Sequence, residues 1–369
     1  MATVNELLQS ETIRHAVGLQ GYSNSVVIRI MEILNRSDKR MLAELAEALS
    51  DVDPVSFKAE RLASMLASVR TIIGAGNAEA GQKLLDELKQ FVDYETAYLH
   101  QMLLANTPAL VHVAAVSTTA VYSAAMSRPF QGILLKEVWK DLTTQQFKSV
   151  RQAIAQGYLE GKTTDAIIRE LRGTKAKGFT DGLLEKSRRD VEAVVRTAIA
   201  HTAGNAHDAF YEKNSDIIKA LKWSSTLDLR TTPQCRIRDG KLYTPDGHKP
   251  IGHSIPWGAG PSRLHWRCRS VSVPIAKSNK ELGIDLPELE LRNKTRASMD
   301  GQVSADTTYA EWLKKQSASR QDEVLGPTRG KLLRSGKMEV SEMYSHKGVF
   351  LTLDELRARD AGAFKRAGL

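Results

Sequence analysis

Residues 222–276 read KWSSTLDLRTTPQCRIRDGKLYTPDGHKPIGHSIPWGAGPSRLHWRCRSVSVPIA. Both cysteines of the chain, Cys235 and Cys268, fall in this stretch, together with Trp223, Trp257 and Trp266 of its five tryptophans. His265 stands three residues before Cys268. Turn formers crowd the interval: Pro233, Asp239-Gly240, Asp246-Gly247, Gly252, Gly258, Gly260 and Pro261. On either side lie runs with the β-branched, partly alternating character of strands, IIKALKWSSTLD before and SVSVPI after. The pattern predicts a small β- and loop-rich module. Antiparallel pairing of its outer strands would bring Cys235 toward His265 and Cys268.

Outward from this stretch the chain reads as helix. Over residues 26–49 the apolar positions Val26, Val27, Ile30, Ile33, Leu34, Met41, Leu42, Leu45 and Leu49 recur at three- and four-residue steps, with a break expected near Asn35–Asp38. Asp53-Pro54 marks the start of the next helix and Gly74 its stop; Asn77 caps a third that Pro108 ends. Residues 108–125 read as a small-residue helix, too interrupted by His112, Ser117, Thr118, Thr119 and Ser123 for a membrane span. Thr143 or Thr144 is placed to cap the following helix, and Thr163 or Thr164 caps another that Gly173 closes. GTKAKGF lacks a Walker pattern. A long helix spans about 183–214, where His201 and His207 are six apart and so do not form a same-face ligand pair. Residues 277–303 read as a linker, and 306–369 as short helices.

The fold class is therefore mainly α with a small α+β module. A multi-helix N-terminal body covers 1–130, the module 131–276, and a linker with a helical C-terminal tail 277–369. At 369 residues, 42% hydrophobic and 26% charged, the composition is that of an ordinary globular chain. The net charge of +9 suits a nucleic acid or an acidic protein surface. Two cysteines argue against a disulfide framework, and the opening MATVNELLQSETIRH lacks the apolar core of a signal peptide, so synthesis in a cytosol is expected.

The order W-x4-D-x-R-T-x3-C-x3-D-G-x-x-Y, followed by P-x3-H-x2-C-R-S, is carried by Trp223, Asp228, Arg230, Thr231, Cys235, Asp239, Gly240, Tyr243, Pro261, His265, Cys268 and Arg269. It resembles the minor head proteins of tailed phages, the Mu protein-F-like head-morphogenesis family. The preceding helix adds Arg196, Thr197 and Asn205, and the likeness covers roughly 140–276. The resemblance implies a structural, non-enzymatic minor capsid protein, present in several copies inside the head near the portal. It implies the portal and other head proteins as partners, together with contact with packaged double-stranded DNA. The expected location is the virion, after synthesis in the host cytoplasm.

Three chemistries fit the residues. Cys235, His265 and Cys268 are zinc-type ligands, with Asp228, His248 or His253 as the fourth, so a structural zinc is the candidate cofactor and two free thiols the alternative. The same cluster supports a second function, a zinc- or thiol-dependent enzyme, although no nucleophile motif surrounds either cysteine. Finally, Arg236, Arg238, Lys241, Arg263, Arg267 and Arg269 are candidates for contact with DNA phosphates or an acidic partner, with Trp257 and Trp266 nearby. Arg230 is expected to pair with Asp228 or to hold backbone carbonyls, and Arg196 and Asn205 to buttress the module.

Overall fold

Helices α1 (Val4–Ser50) and α2 (Ala59–Ala105) each run 47 residues in the computed structural model, which describes residues 4–50, 59–129, 131–285 and 295–369. The expected helix start at Asp53-Pro54 lies outside the described residues. α1 does not break at Asn35–Asp38. Asp38 is buried there and its carboxylate accepts from Arg188 (2.9 Å) and Gln146 (3.4 Å), so tertiary partners absorb the polar interruption. Gly74 does not stop α2, and Asn77 is not a cap. Asn77 is buried within the helix and donates to the carbonyl of Ile73 and to Gln146 Oε1. Glycines on either side of it permit close approach: a Cβ on Gly76 would lie 2.2 Å from Ser37 Oγ, and one on Gly81 2.9 Å from Trp139 Nε1.

After α2 the chain is irregular until α3 (Thr118–Ser127), so the helix expected from residue 108 begins ten residues later. Asn214 holds the irregular stretch by bonding both the N–H and the C=O of Ala114. α4 (Leu135–Leu159) starts well before Thr143 and Thr144, whose hydroxyls donate back to the carbonyls of Trp139 and Lys140 instead of capping. Thr163 caps α5 (Thr164–Arg172), closed by Gly173 as expected, and a 3-10 turn at Lys175–Lys177 leads to α6 (Leu183–Lys213). No helix among the described residues is long and apolar enough to cross a membrane.

The chain forms two compact units. One comprises Gln20–Phe91 and Tyr122–Ile199. Its core includes Met41, Leu45, Val69, Ile73, Val150, Ile154, Ile167 and Leu171. The other comprises Met1–Leu19, Val92–Val121 and Ala200–Leu369. It holds a four-stranded antiparallel sheet of β1 (Ile218–Ser224), β2 (Leu242–Tyr243), β3 (Pro250–Ile251) and β4 (Val271–Ala276), in the order β3-β2-β1-β4. The one-turn α7 (Pro233–Arg236) lies between β1 and β2. The expected pairing of the outer runs is present, with Trp223 opposite Ser272 and Ser224 opposite Val271.

The segment expected to be a linker holds a hairpin, β5 (Thr295–Ser298) with β6 (Gly301–Ser304); its part at 286–294 lies outside the described residues. Short helices follow: α8 (Tyr309–Lys314), α9 (Ala318–Leu325), α10 (Pro327–Arg334), α11 (Leu353–Arg359) and α12 (Ala361–Arg366). They share one core with the module: Leu227, Ile237 and Ile255 pack with Tyr309, Trp312, Leu313, Leu332, Met343 and Phe364.

Candidate functional site

β1 and β4 end side by side, which places Ser225 next to Ser270, their hydroxyls 3.2 Å apart. Ser225 Oγ also donates to the carbonyl of Cys235, fixing α7 against the sheet end. From the other side, the turn of residues 265–268 closes with the Cys268 N–H on the His265 carbonyl, Arg267 adopting a left-handed φ of 56°. Cys235 Sγ thereby lies 3.2 Å from His265 Nε2 and 3.8 Å from Cys268 Sγ. All three donor atoms fall within 4.8 Å of one another, and both cysteines are buried. Thr232 Oγ1 lies 3.0 Å from the same imidazole nitrogen.

The electrostatics follow from the contacts. The hydrogen bond with Cys235 holds the Cys268 thiol well below its ordinary range against the push of burial, and His265 adds to the effect. The same hydrogen bond, with burial, drives Cys235 up. Burial opposes charge on His265, yet its hydrogen bond to Cys268 and the charge there leave its pKa raised.

Asp228 is not part of this cluster. Its carboxylate accepts both terminal nitrogens of Arg269, at 2.5 and 2.9 Å, together with the Thr231 hydroxyl and the Arg230 N–H. Burial pushes its pKa up, but the Arg269 guanidinium prevails and holds it below the usual carboxylate value. The other expected fourth ligands are also elsewhere. His253 is engaged at Nε2 by the Leu242 carbonyl and at Nδ1 by the Ile255 N–H. His248 stacks on Trp257 at 4.6 Å and faces Asp208.

The expected cationic face is smaller in the fold, because three of its six residues are buried. Arg236, Arg238 and Arg263 are buried and cannot reach a phosphate in the folded chain. Arg236 donates to the carbonyls of Thr231 and Val324, Arg238 to those of Pro256 and Gln234, and Arg263 to Asn205 and Asp208. Trp257 is buried as well. Lys241 and Arg269 are half-buried, and Arg267 and Trp266 are exposed. Arg230 is exposed too, its side chain 85% accessible; it reaches Asp228 at 4.0 Å, as expected, while Arg269 makes the closer pair with the same carboxylate. Asn205 does support the module through Arg263, whereas Arg196 binds Glu192 and Asn24 instead.

The remaining motif residues are structural. Trp223 and Tyr243 are fully buried on paired strands, and Gly240 takes a left-handed φ of 79° while its N–H reaches the Trp223 carbonyl. Asp239 accepts from the N–H groups of Ser225 and Tyr309 and from both terminal nitrogens of Arg296. Arg296 is itself buried and also donates to the carbonyls of Ser225 and Thr307. Nothing in the sequence around Arg296 marked it, since its partner lies 57 positions away.

A cavity of about 560 Å³ opens beside the cluster, lined by Thr232, Pro233 and His265 on one side and by Lys347, Val349 and Phe350 on the other. Residues 148–273 match the family model described as Phage Mu protein F like protein. No curated protein and no solved structure matches the chain. The buried motif and most of the sheet that carries it fall within the stretch, residues 148–273, that is similar to the Phage Mu protein F like family.

Proposed function

We propose that this chain is a structural protein of a tailed-phage head, acting in head morphogenesis by binding other head proteins. The observation that carries the reading is the family match over the stretch that includes the sheet and its buried motif. The motif's acidic residues are spent on internal contacts: Asp228 on Arg269, and Asp239 on Arg296. In this reading the module is a platform whose work is done by what docks on it. In the finer form of this proposal, several copies sit inside the head near the portal and assist assembly, packaging or delivery of the genome. Any contact with DNA falls to exposed cations such as Arg230, Lys249, Arg267 and Lys347, and is independent of sequence.

Mass spectrometry of purified virions, before and after genome release, tests the reading by counting this chain against the portal subunit. Several copies per full head are expected, with co-purification of the portal protein. Absence from virions, with the chain left in the lysate, overturns it. The second reading, a thiol- or zinc-dependent enzyme, has the cavity beside His265 in its favour. Against it stands the burial of both sulfur-bearing residues, each 2% exposed, because a nucleophile must meet its substrate.

A further inference from the structure

We propose that Cys235, His265 and Cys268 form a mononuclear zinc site whose fourth ligand is a solvent oxygen and not a side chain. The first argument is distance. With Zn–S near 2.3 Å and Zn–N near 2.0–2.1 Å, a tetrahedral site has S···S edges of about 3.8 Å and S···N edges of about 3.5 Å. Here the sulfurs are 3.8 Å apart, and Cys235 Sγ lies 3.2 Å from His265 Nε2. Two edges of one tetrahedral face are thus close to their expected lengths, and all three donors lie within 4.8 Å of one another.

The second argument is the imidazole. His265 Nδ1 lies 2.8 Å from the carbonyl oxygen of Trp266, which can only accept. Nδ1 therefore carries a proton, and in the neutral ring that a metal requires, the Nε2 lone pair faces Cys235 Sγ. An outer hydrogen bond of this kind fixes the tautomer and the ring plane of a metal-bound histidine. Two thiolates and a neutral imidazole would also cancel the charge of a divalent ion, which makes its burial tolerable.

The third argument concerns the open position. Among the described residues, these three alone form a cluster of zinc-type donors. Asp228, His248 and His253 are committed elsewhere. What adjoins the cluster is a cavity of about 30 Å³, lined by Thr226, Thr232, Arg230, Arg267, Arg269 and Ser270. That volume is enough to hold a water molecule. Thr232 Oγ1, 3.0 Å from Nε2, is placed to hold such a molecule by hydrogen bonding. The site would clip α7 to the turn before β4, joining loops that the short strands alone hold weakly.

The test uses the full chain, incubated with zinc and desalted, then measured by elemental analysis and zinc X-ray absorption. About one zinc per chain is expected, with a shell of two sulfurs near 2.3 Å and two nitrogen or oxygen atoms near 2.0–2.1 Å. Cys268→Ser and His265→Ala should each lose at least tenfold in zinc affinity. His253→Gln should bind as the parent does. Misfolding of a ligand variant would also lower its zinc content, so the parent chain decides: a folded parent that retains no zinc overturns the proposal. So does a shell with fewer than two sulfurs, or one whose fourth scatterer is a second imidazole. The result does not depend on the head-protein reading, which the virion count tests separately.

Discussion

Glu95 is fully buried and bridges two histidines, accepting from His15 Nε2 and His207 Nε2 at 2.7 Å each. Its carboxylate joins the start of α1, the end of α2 and the end of α6, and Tyr98 stacks on the His15 ring at 3.7 Å. Burial pushes its pKa up, but the hydrogen bonds from His15 and His207 outweigh that and leave it below the usual 4.5. A lowered folded-state pKa stabilises fully above the unfolded value and is lost as pH falls through the folded one. Glu95→Gln keeps the shape and removes the charge, so near neutral pH it should cost about 3 kcal/mol, the lower end for breaking a buried pair. The gap between parent and variant, measured by urea unfolding at stepped pH, should narrow below about pH 4.5. A gap that stays constant to lower pH would mean that the charge is not what holds the three helices. The sequence showed His207 only as a lone histidine on a helix, because its partner lies 112 positions away. Arg296 was invisible for the same reason, whereas Cys235, His265 and Cys268 were legible because their residue types are scarce and chemically distinctive.

At the scale of elements, glycine separates what the sequence pattern could reveal from what it could not. The α6 boundaries, the Thr163 cap and the β1–β4 pairing follow from local chemistry, and the structure has them where the pattern placed them. The expected breaks in α1 and α2 failed because a glycine or polar residue inside a helix has two meanings: a weak spot in the helix, or a point of close packing. Gly74 and Gly76 illustrate both. A Cβ at Gly74 would meet nothing within 4 Å, while one at Gly76 would fall 2.2 Å from Ser37 Oγ and 2.4 Å from its Cβ. Gly74→Ala should therefore stabilise by about 0.5–1 kcal/mol, the helix-interior difference between the two residues. Gly76→Ala should destabilise by about 1–3 kcal/mol, because Ser37 or the backbone must move. Thermal unfolding of the two variants under identical conditions checks the opposite signs; two shifts of the same sign would contradict the packing explanation.

For the whole molecule, the informative feature is that the C-terminal helices belong to the same compact unit as the sheet. A polar stretch followed by short helices reads in sequence as a linker and a tail, since neither shows where its apolar residues go. In the fold, Tyr309, Trp312, Leu313, Leu332 and Met343 are nearly or fully buried and close over Leu227, Ile237 and Ile255. Tyr309 also gives its N–H to Asp239 and its hydroxyl to the carbonyl of Asp228, two residues of the module motif. Each such apolar side chain contributes about 1.5–3 kcal/mol on burial. Losing five of them removes about as much as the 5–15 kcal/mol by which a domain is usually stable. A chain ending at residue 305 should consequently fail to fold its module: it should aggregate or expose apolar surface, and near-ultraviolet dichroism from Trp223 and Trp257 should collapse. If the tail were an appendage, the shortened chain would keep that signal and unfold at the parent's midpoint. The same outcome bears on the zinc proposal, because Phe350 and Val349 of the tail wall the cavity beside His265. A tail that closes the core also closes the metal site, so the shortened chain should bind zinc more weakly even where part of the sheet survives.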